Sequence, residues 1–209
     1  MTLKLTIRFE SAVHHASGFS LAGVLDKGFL RDHNGLPCLS GAALKGRFRD
    51  AARHILLADA VEVCQSGRKP RACGPPGIGR QEYCRVCQVF GAPALPARVV
   101  FTDAKPEPEA YEVMLAQKVN SVSTFHFGAT DIRHSTSLDR LRRTVRTEHL
   151  FSLETVQPPV VFEAEIRGWM DAADEALLRE CALLLNSFGA GGSRGLGACR
   201  YEMEPETIR

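Results

Sequence analysis

The chain has no long hydrophobic run, no fixed-period repeat, no low-complexity tract and almost no excess charge of either sign. The first absence excludes a membrane-crossing helix, which needs about 20 consecutive apolar residues. The next two exclude a solenoid and a biased linker. With Lys+Arg 26 against Asp+Glu 24, the formal net charge is +2, so there is no overall basic field to draw in nucleic acid. No secretory leader is evident either, because Met1-Thr2-Leu3-Lys4 leads directly into a strand pattern. The expected location is therefore the cytoplasm, with no membrane contact. Thiols stay reduced there, so the seven cysteines point to metal binding and core thiols rather than to a disulfide framework.

What is present is an ordinary globular composition, 44% hydrophobic and 24% charged over 209 residues, enough for one core with a sizeable insertion. The cations are mostly arginine, the side chain suited to bidentate phosphate contacts and to stacking on bases. They cluster at Arg68, Lys69, Arg71, Arg80 and Arg85, and again at Arg140, Arg142, Arg143 and Arg146. Local clusters within an overall neutral chain fit a nucleic-acid surface backed by an acidic one; a surface salt-bridge network gives the same pattern.

Leu3, Leu5, Ile7 and Phe9 alternate with Lys4, Thr6, Arg8 and Glu10, which predicts a half-buried strand. A loop carrying His14, His15 and Asp26 follows, and Asn34-Gly35 marks a turn. Over residues 39–57, Leu44, Phe48, Ala51, Ala52 and Ile55 recur at helical spacing, with Ser40 as the N-cap. Lys45, Arg49 and Arg53 climb one edge beside that stripe, and Arg47 sits near the first turn. Free N–H groups, a serine, small residues and cations at a helix start suit a phosphate. An amphipathic helix with a solvated basic face is the competing reading.

Residues 98–101 predict a short strand, 105–110 a loop, 111–118 a brief helix, and 120–135 a polar excursion of no clear period. Residues 149–156 and 160–169 predict strands, 171–188 a helix burying Leu177, Leu178, Cys181, Leu184, Leu185 and Phe188, and 198–203 a last strand. The order β-α-β-β-α-β is that of a ferredoxin-like α+β fold, with insertions after the first helix and in mid-chain.

Residues 62–96 form a Cys-rich insertion. Cys84-Arg85-Val86-Cys87 is the CxxC half of a zinc knuckle, placing two thiolates at tetrahedral reach of one ion. Cys64 and Cys73 complete a four-cysteine site for structural Zn2+ across the Gly74-Pro75-Pro76-Gly77 turn; the alternative is that one of them is incidental and a histidine such as His54 supplies a ligand. Cys38, Cys181 and Cys199 read as core thiols. The run Gly189-Ala-Gly-Gly-Ser-Arg-Gly-Leu-Gly197 supplies positive-φ positions and backbone N–H groups that a phosphate can approach; as plain structure it is a tight turn into the last strand.

Leu25-Asp26, Leu30-Arg31-Asp32, Pro37, Leu39-Ser40-Gly41-Ala42-Ala43-Leu44-Lys45-Gly46-Arg47-Phe48-Arg49, Cys87-Gln-Val-Phe-Gly91, Ser137-Leu138-Asp139-Arg140 and Gly191-Gly-Ser-Arg-Gly-Leu-Gly197 occur in an order that closely resembles the RAMP superfamily. The nearest likeness is to the backbone subunit of type III CRISPR–Cas effector complexes. The resemblance implies one RAMP domain over residues 1–209, with an RRM-like palm holding guide RNA. It also implies a thumb-like insertion at about 104–136 that kinks the duplex of guide and target RNA, and head-to-tail stacking with other subunits. By position, Ser40, Lys45, Arg47 and Arg49 match the motif that grips the guide backbone, with Arg53 one turn further on. Gly191, Gly192, Ser193, Arg194 and Gly195 match the terminal glycine loop. Asp26 falls where members that cut target RNA carry a catalytic aspartate assisted by a divalent cation, Mg2+ or Mn2+. The Leu25-Asp26-Lys27-Gly28 context departs from the Asp-Ser/Asn-Pro usual there. A purely structural RNA-binding subunit and an endoribonuclease that processes precursor guide RNA are the alternatives within the same superfamily.

Overall fold

Strand β1 (Thr2–Phe9) follows its alternating pattern: Leu3, Leu5, Ile7 and Phe9 are buried, and Lys4, Thr6 and Arg8 line the opposite face. It forms the middle of an antiparallel sheet, paired with β6 (Val160–Gly168) on one side and β7 (Cys199–Pro205) on the other. Beyond β6 lie β2 (Val99–Phe101) and β3 (Lys105–Pro106), which pair with it in succession along one edge. The order across the sheet is β2-β6-β1-β7, with every pairing antiparallel. This computed structural model describes residues 1–20, 25–64, 73, 79–120, 130–139 and 141–205. Arg68, Lys69, Arg71, the Gly74–Gly77 turn, Phe125 to Phe127 and Arg140 lie outside the described residues.

Two helices cover one face of the sheet. Helix α1 (Gly41–Ala58) buries Leu44, Phe48, Ala51 and Ala52, the stripe its spacing predicts. Phe48 is fully buried and packs on the rings of Phe101 and Tyr201, with centroids 5.1 and 5.8 Å away. Burying such a ring is worth about 1.5–3 kcal/mol. Helix α4 (Ala172–Leu184) starts at Asp171, whose carboxylate accepts from Asp174 N, and packs on α1 through Leu177, Leu178, Cys181 and Ala182. It ends four residues earlier than the sequence pattern suggests. Leu185 is extended, Leu184 is 53% exposed, and Phe188 reaches the core from the loop that follows.

Two insertions leave this core. After α1 comes the Cys-rich segment with the short helix α2 (Arg85–Phe90), whose Val86, Val89 and Phe90 join the main core. After β3 come α3 (Pro108–Asn120) and an antiparallel hairpin of β4 (Thr130–Asp139) and β5 (Thr144–Val156). Here the structure corrects the sequence reading: β4 lies in the stretch that shows no period, and β5 starts at Thr144 rather than near 149. A two-stranded ribbon has no sheet to bury a face against, so its side chains carry no apolar alternation to detect. The 105–110 loop likewise contains β3 and the first turn of α3. No helix among the described residues is long and apolar enough to cross a membrane.

Candidate nucleic-acid interface and metal centre

Antiparallel register brings the end of β1 and the starts of β6 and β7 to one end of the sheet, with Phe9 opposite both Val160 and Cys199. The segments that leave this end form the candidate interface. Val13 bridges to Val156 at the base of the hairpin, and Ala190 N donates to the His14 carbonyl at 2.9 Å. His15 lies between Phe29 and Phe188, and its Nε2 accepts from Ser40 N at 3.2 Å at the start of α1. That bond needs an unprotonated ring. Burial, followed by the neighbouring His14, lowers the His15 pKa, while Asp103 pulls the other way.

The start of α1 is therefore partly occupied from within. Ser40 is the extended N-cap, but its hydroxyl makes no capping bond. Gly41 N donates to Asp103 Oδ1 at 2.7 Å, and a Cβ on Gly41 would lie 2.2 Å from the Phe101 carbonyl oxygen. A carboxylate already neutralises the helix dipole there, so the side-chain cations, and not the bare helix start, are the groups left to meet a phosphate. Lys45 is half-buried; burial and then Arg49 lower its pKa. Arg47 is exposed and donates to Ser187 O and Oγ at 3.1 and 3.2 Å, bracing the neck of the glycine turn. Arg53 is half-buried, and its Nε has no hydrogen-bond partner among the described residues. Arg49 turns away from this edge, into the Cys-rich insertion, where it donates to Gly91 O at 2.8 Å and Cys87 Sγ at 3.4 Å.

In the glycine turn, Gly191 and Gly195 adopt left-handed φ of 84° and 78°, flanking a single tight turn at Gly192–Arg194. The turn faces the base of the hairpin across a cleft of about 90 Å³ lined by His14, Lys27, Arg133, Phe151, Gly191 and Arg194, among others. Lys27, Arg133 and Arg194 thus reach one cleft from three separate segments, all exposed and none ion-paired among the described residues. Sequence reading missed Lys27 and Arg133. Arg133 sits in the aperiodic stretch, and nothing local marks either residue. His14 is buried; its Nδ1 lies 2.6 Å from the Glu154 carbonyl, and its Nε2 has no hydrogen-bond partner among the described residues.

Asp26 is exposed, and its segment is stitched to β5. Asp26 Oδ2 accepts from Ser152 N at 2.7 Å and from Ser152 Oγ at 3.1 Å, and Asp26 N donates to that hydroxyl at 3.0 Å. Lys27 continues as a parallel bridge to Leu153. Below it, buried Glu154 pairs with Arg31 and accepts from Phe29 N. These bonds fix Asp26 at the foot of the hairpin, beside the cleft, with Oδ1 unengaged among the described residues. His33 is elsewhere, lining a groove with Tyr111 and Lys105 on the opposite face of the sheet.

The sulfurs of Cys64, Cys73, Cys84 and Cys87 all lie within 4.8 Å of one another and could hold one metal ion. Among the described residues this is the only such group. Four thiols at this spacing suit a tetrahedral ion with metal–sulfur bonds of about 2.3 Å. His54 is not part of it: it is exposed on α1 and bonds the Asp50 carbonyl of its own helix. Burial raises the pKa of Cys87. Burial also pushes Cys84 up, but hydrogen bonds with its neighbouring cysteines outweigh that and bring it down to about 7. Closed by four sulfurs, such a site leaves no open position for water, so its ion would hold the insertion together without acting on a substrate. Cys38, Cys181 and Cys199 are buried core thiols.

A family model of the RAMP superfamily matches residues 6–200. No curated protein matches the chain. Among solved structures, a subunit of a type III-B Cmr-beta complex in its apo state superposes with a TM-score of 0.61 at 14% identity, covering 97% of both chains. A chain of the same complex bound to cognate target RNA gives the same values. A chain of a type IV-B CRISPR complex matches with a TM-score of 0.61 at 12% identity, over 100% of this chain and 92% of the other. At these identities the likeness is one of fold.

Proposed function

The chain belongs to the RAMP superfamily, and from that membership we propose that it is an RNA-binding backbone subunit of a type III CRISPR effector complex, working in the cytoplasm and stacked with other subunits along a guide RNA. The observation that carries this reading is the convergence of Lys27, Arg133 and Arg194, with Lys45 and Arg47 on the adjoining helix, at one end of the sheet. These cations have no common acidic partner among the described residues, and phosphates of a guide strand would supply one. Gly191, Gly192 and Gly195 let the backbone approach, with Ser193 and Arg194 as side-chain contacts. The ferredoxin-like, RRM-like description of the core is supported by the sheet order β2-β6-β1-β7 and the two helices on one face. The thumb, which the resemblance puts at about 104–136, we extend through the β4–β5 hairpin, beyond that range. Its tip presents Leu141, 97% exposed, next to Arg142 and Arg143. An apolar side chain there could wedge between stacked bases and kink a duplex of guide and target.

Cleavage of target RNA is the second part of the proposal. In a kinked strand the 2′-OH can reach the in-line position for attack on its own phosphate. Asp26, held by Ser152 and keeping one carboxylate oxygen clear of those bonds, would orient that hydroxyl or ligate a cation. A divalent ion bound there would stabilise the charge that builds on the phosphate oxygens and on the departing 5′-oxygen, as the 2′-oxygen closes a cyclic phosphate on the strand left behind. No group of three metal ligands surrounds Asp26 among the described residues, so such an ion would draw most of its shell from water and RNA phosphates, as Mg2+ commonly does. One observation favours the purely structural reading: both Asp26 Oδ2 bonds dock its loop onto β5, a job that needs no chemistry.

Asp26→Asn separates the two readings, since its amide oxygen can still accept from Ser152 while the charge is gone. In the assembled complex, loss of cutting at the adjacent linkage with guide binding intact supports catalysis. Continued cutting there removes Asp26 from the mechanism.

A further inference from the structure

The resemblance places Arg49 on the guide, yet its side chain points the other way. Nη1 donates to Gly91 O at the end of α2 and Nη2 to Cys87 Sγ, so one planar guanidinium grips both the last turn of α2 and a sulfur of the cysteine quartet. Cys87 is the most buried of the four sulfur-bearing residues, at 1% exposure. Four thiolates around a divalent ion carry a net charge of about −2, and burying that charge is costly unless N–H donors and a counter-charge meet it. A backbone donor serves Cys73, which accepts from Cys84 N at 3.1 Å. Arg85 and Arg80 are adjacent but committed elsewhere, Arg85 to Asp174 and Arg80 to the Gln88 and Pro96 carbonyls. Among the described residues, Arg49 is therefore the cation whose hydrogen bond reaches a sulfur of the quartet.

We propose that Arg49 is the outer-shell donor and counter-charge of the cysteine centre, and that through it the filled centre fixes α1 to the insertion. The proposal rests on the quartet holding a thiophilic divalent ion such as Zn2+. Arg49 touches no reacting atom; it is a positioning residue that donates to the Cys87 sulfur and orients it.

The test is zinc affinity of the purified full chain, measured by competition with a chromophoric chelator and checked by metal content. Loss of an outer-shell partner commonly weakens metal binding about 10- to 100-fold. Arg49→Ala should show a loss of that size, and Arg49→Lys, which keeps charge but not the fork, a smaller one. Arg47→Ala, on the same helix, should bind zinc as the parent does. With Co2+ in place of Zn2+, the sulfur-to-metal charge-transfer band should shift in Arg49→Ala and stay put in Arg47→Ala. If Arg49→Ala does not fold, Arg49→Gln, which keeps an N–H donor, carries the same comparison. Parent-like zinc affinity and spectrum in the Arg49 variants would overturn the assignment while leaving the metal site standing. A parent protein that binds no stoichiometric zinc would overturn both.

Discussion

Lys27, Arg133 and Arg194 offer the sharpest test of where RNA lies. They come from the loop before α1, from β4 and from the glycine turn, and none has an acidic partner among the described residues to lose on binding. Neutralising one phosphate of a single strand contributes roughly 0.7 to the slope of log K against log salt. Three contacts therefore contribute about 2. Between about 50 and 200 mM salt, a fourfold change, a slope difference of 2 corresponds to roughly 16-fold in relative affinity. The triple variant Lys27→Ala, Arg133→Ala, Arg194→Ala should bind guide RNA more weakly, and its deficit against the parent should shrink by about that factor as salt rises. Fluorescence anisotropy with guide-length RNAs of two unrelated sequences measures this, and both should respond alike if phosphates are the partners. Arg8 and Arg200, paired with Glu202 and Glu10 on the other face of the sheet, serve as controls. An unchanged salt slope in the triple variant, or an equal change in the controls, would remove the cleft from the interface.

Other expectations concern stability and the metal. Asp174 is fully buried between Arg85 and Arg98, at 2.7 and 2.8 Å, so Asp174→Ala removes their buried carboxylate and leaves them only the more exposed Asp171, at 3.5 and 2.9 Å. Both arginines are partly solvated, so the low end of the usual range applies, about 3 kcal/mol, seen in thermal melting as a fall of roughly 6 to 12 °C. If the four cysteines hold an ion as proposed, chelating it should lower the melting temperature and expose residues 79–91 to protease while leaving the β1–β6 and β1–β7 amides protected from hydrogen exchange. His15 must stay unprotonated to accept from Ser40 N. Its pKa is depressed on folding, mainly by burial, so the stability it lends is complete above the unfolded value near 6.5 and is lost as pH falls below it toward the folded value. His15→Asn, which keeps an acceptor that does not titrate, should flatten the melting temperature across that acid window; an unchanged pH profile would refute the role.

How much of this was legible in the sequence depends on which elements bury a face. β1, β6 and α1 do, and their periods of two and 3.6 place Leu3, Phe162 and Phe48 in the core. β4 carries almost nothing to bury: Ile132 is its only apolar residue between Thr130 and Ser137. β4, and Arg133 with it, was therefore invisible, although the second half of β5 was not. The Cys84–Cys87 spacing points to half of a metal site, and Cys64 and Cys73 lie close enough to make up a group that could hold one ion. Arg49 and Arg53 looked alike in the sequence because both follow Lys45 on one helix edge. Only the packing of α2 against α1 separates them, and that contact joins residues 38 positions apart, as the Arg49–Cys87 bond does. The docking of Asp26 on Ser152 spans 126 positions and was equally out of reach.

The face of the sheet that the helices leave open bears on how RNA is held. Single-stranded RNA is commonly read on such a sheet by exposed aromatic rings on which bases stack. Here the outward residues of β1, β6 and β7 are Lys4, Thr6, Arg8, Val161, Glu163, Glu165, Arg167, Arg200, Glu202 and Glu204, with no aromatic among them. Lys4 pairs with Glu163, Arg8 with Glu202 and Arg167 with Glu165, so the face is satisfied internally and has no net charge to attract a backbone. A strand lying there would displace ion pairs and gain no stacking from the side chains of these three strands. The end of the sheet where β1 leaves and β6 and β7 enter offers the opposite: cations without acidic partners among the described residues, glycines at positive φ and a hairpin rooted alongside. Contacts of that kind grip phosphates and riboses in any sequence, as the proposed role along a variable guide would require.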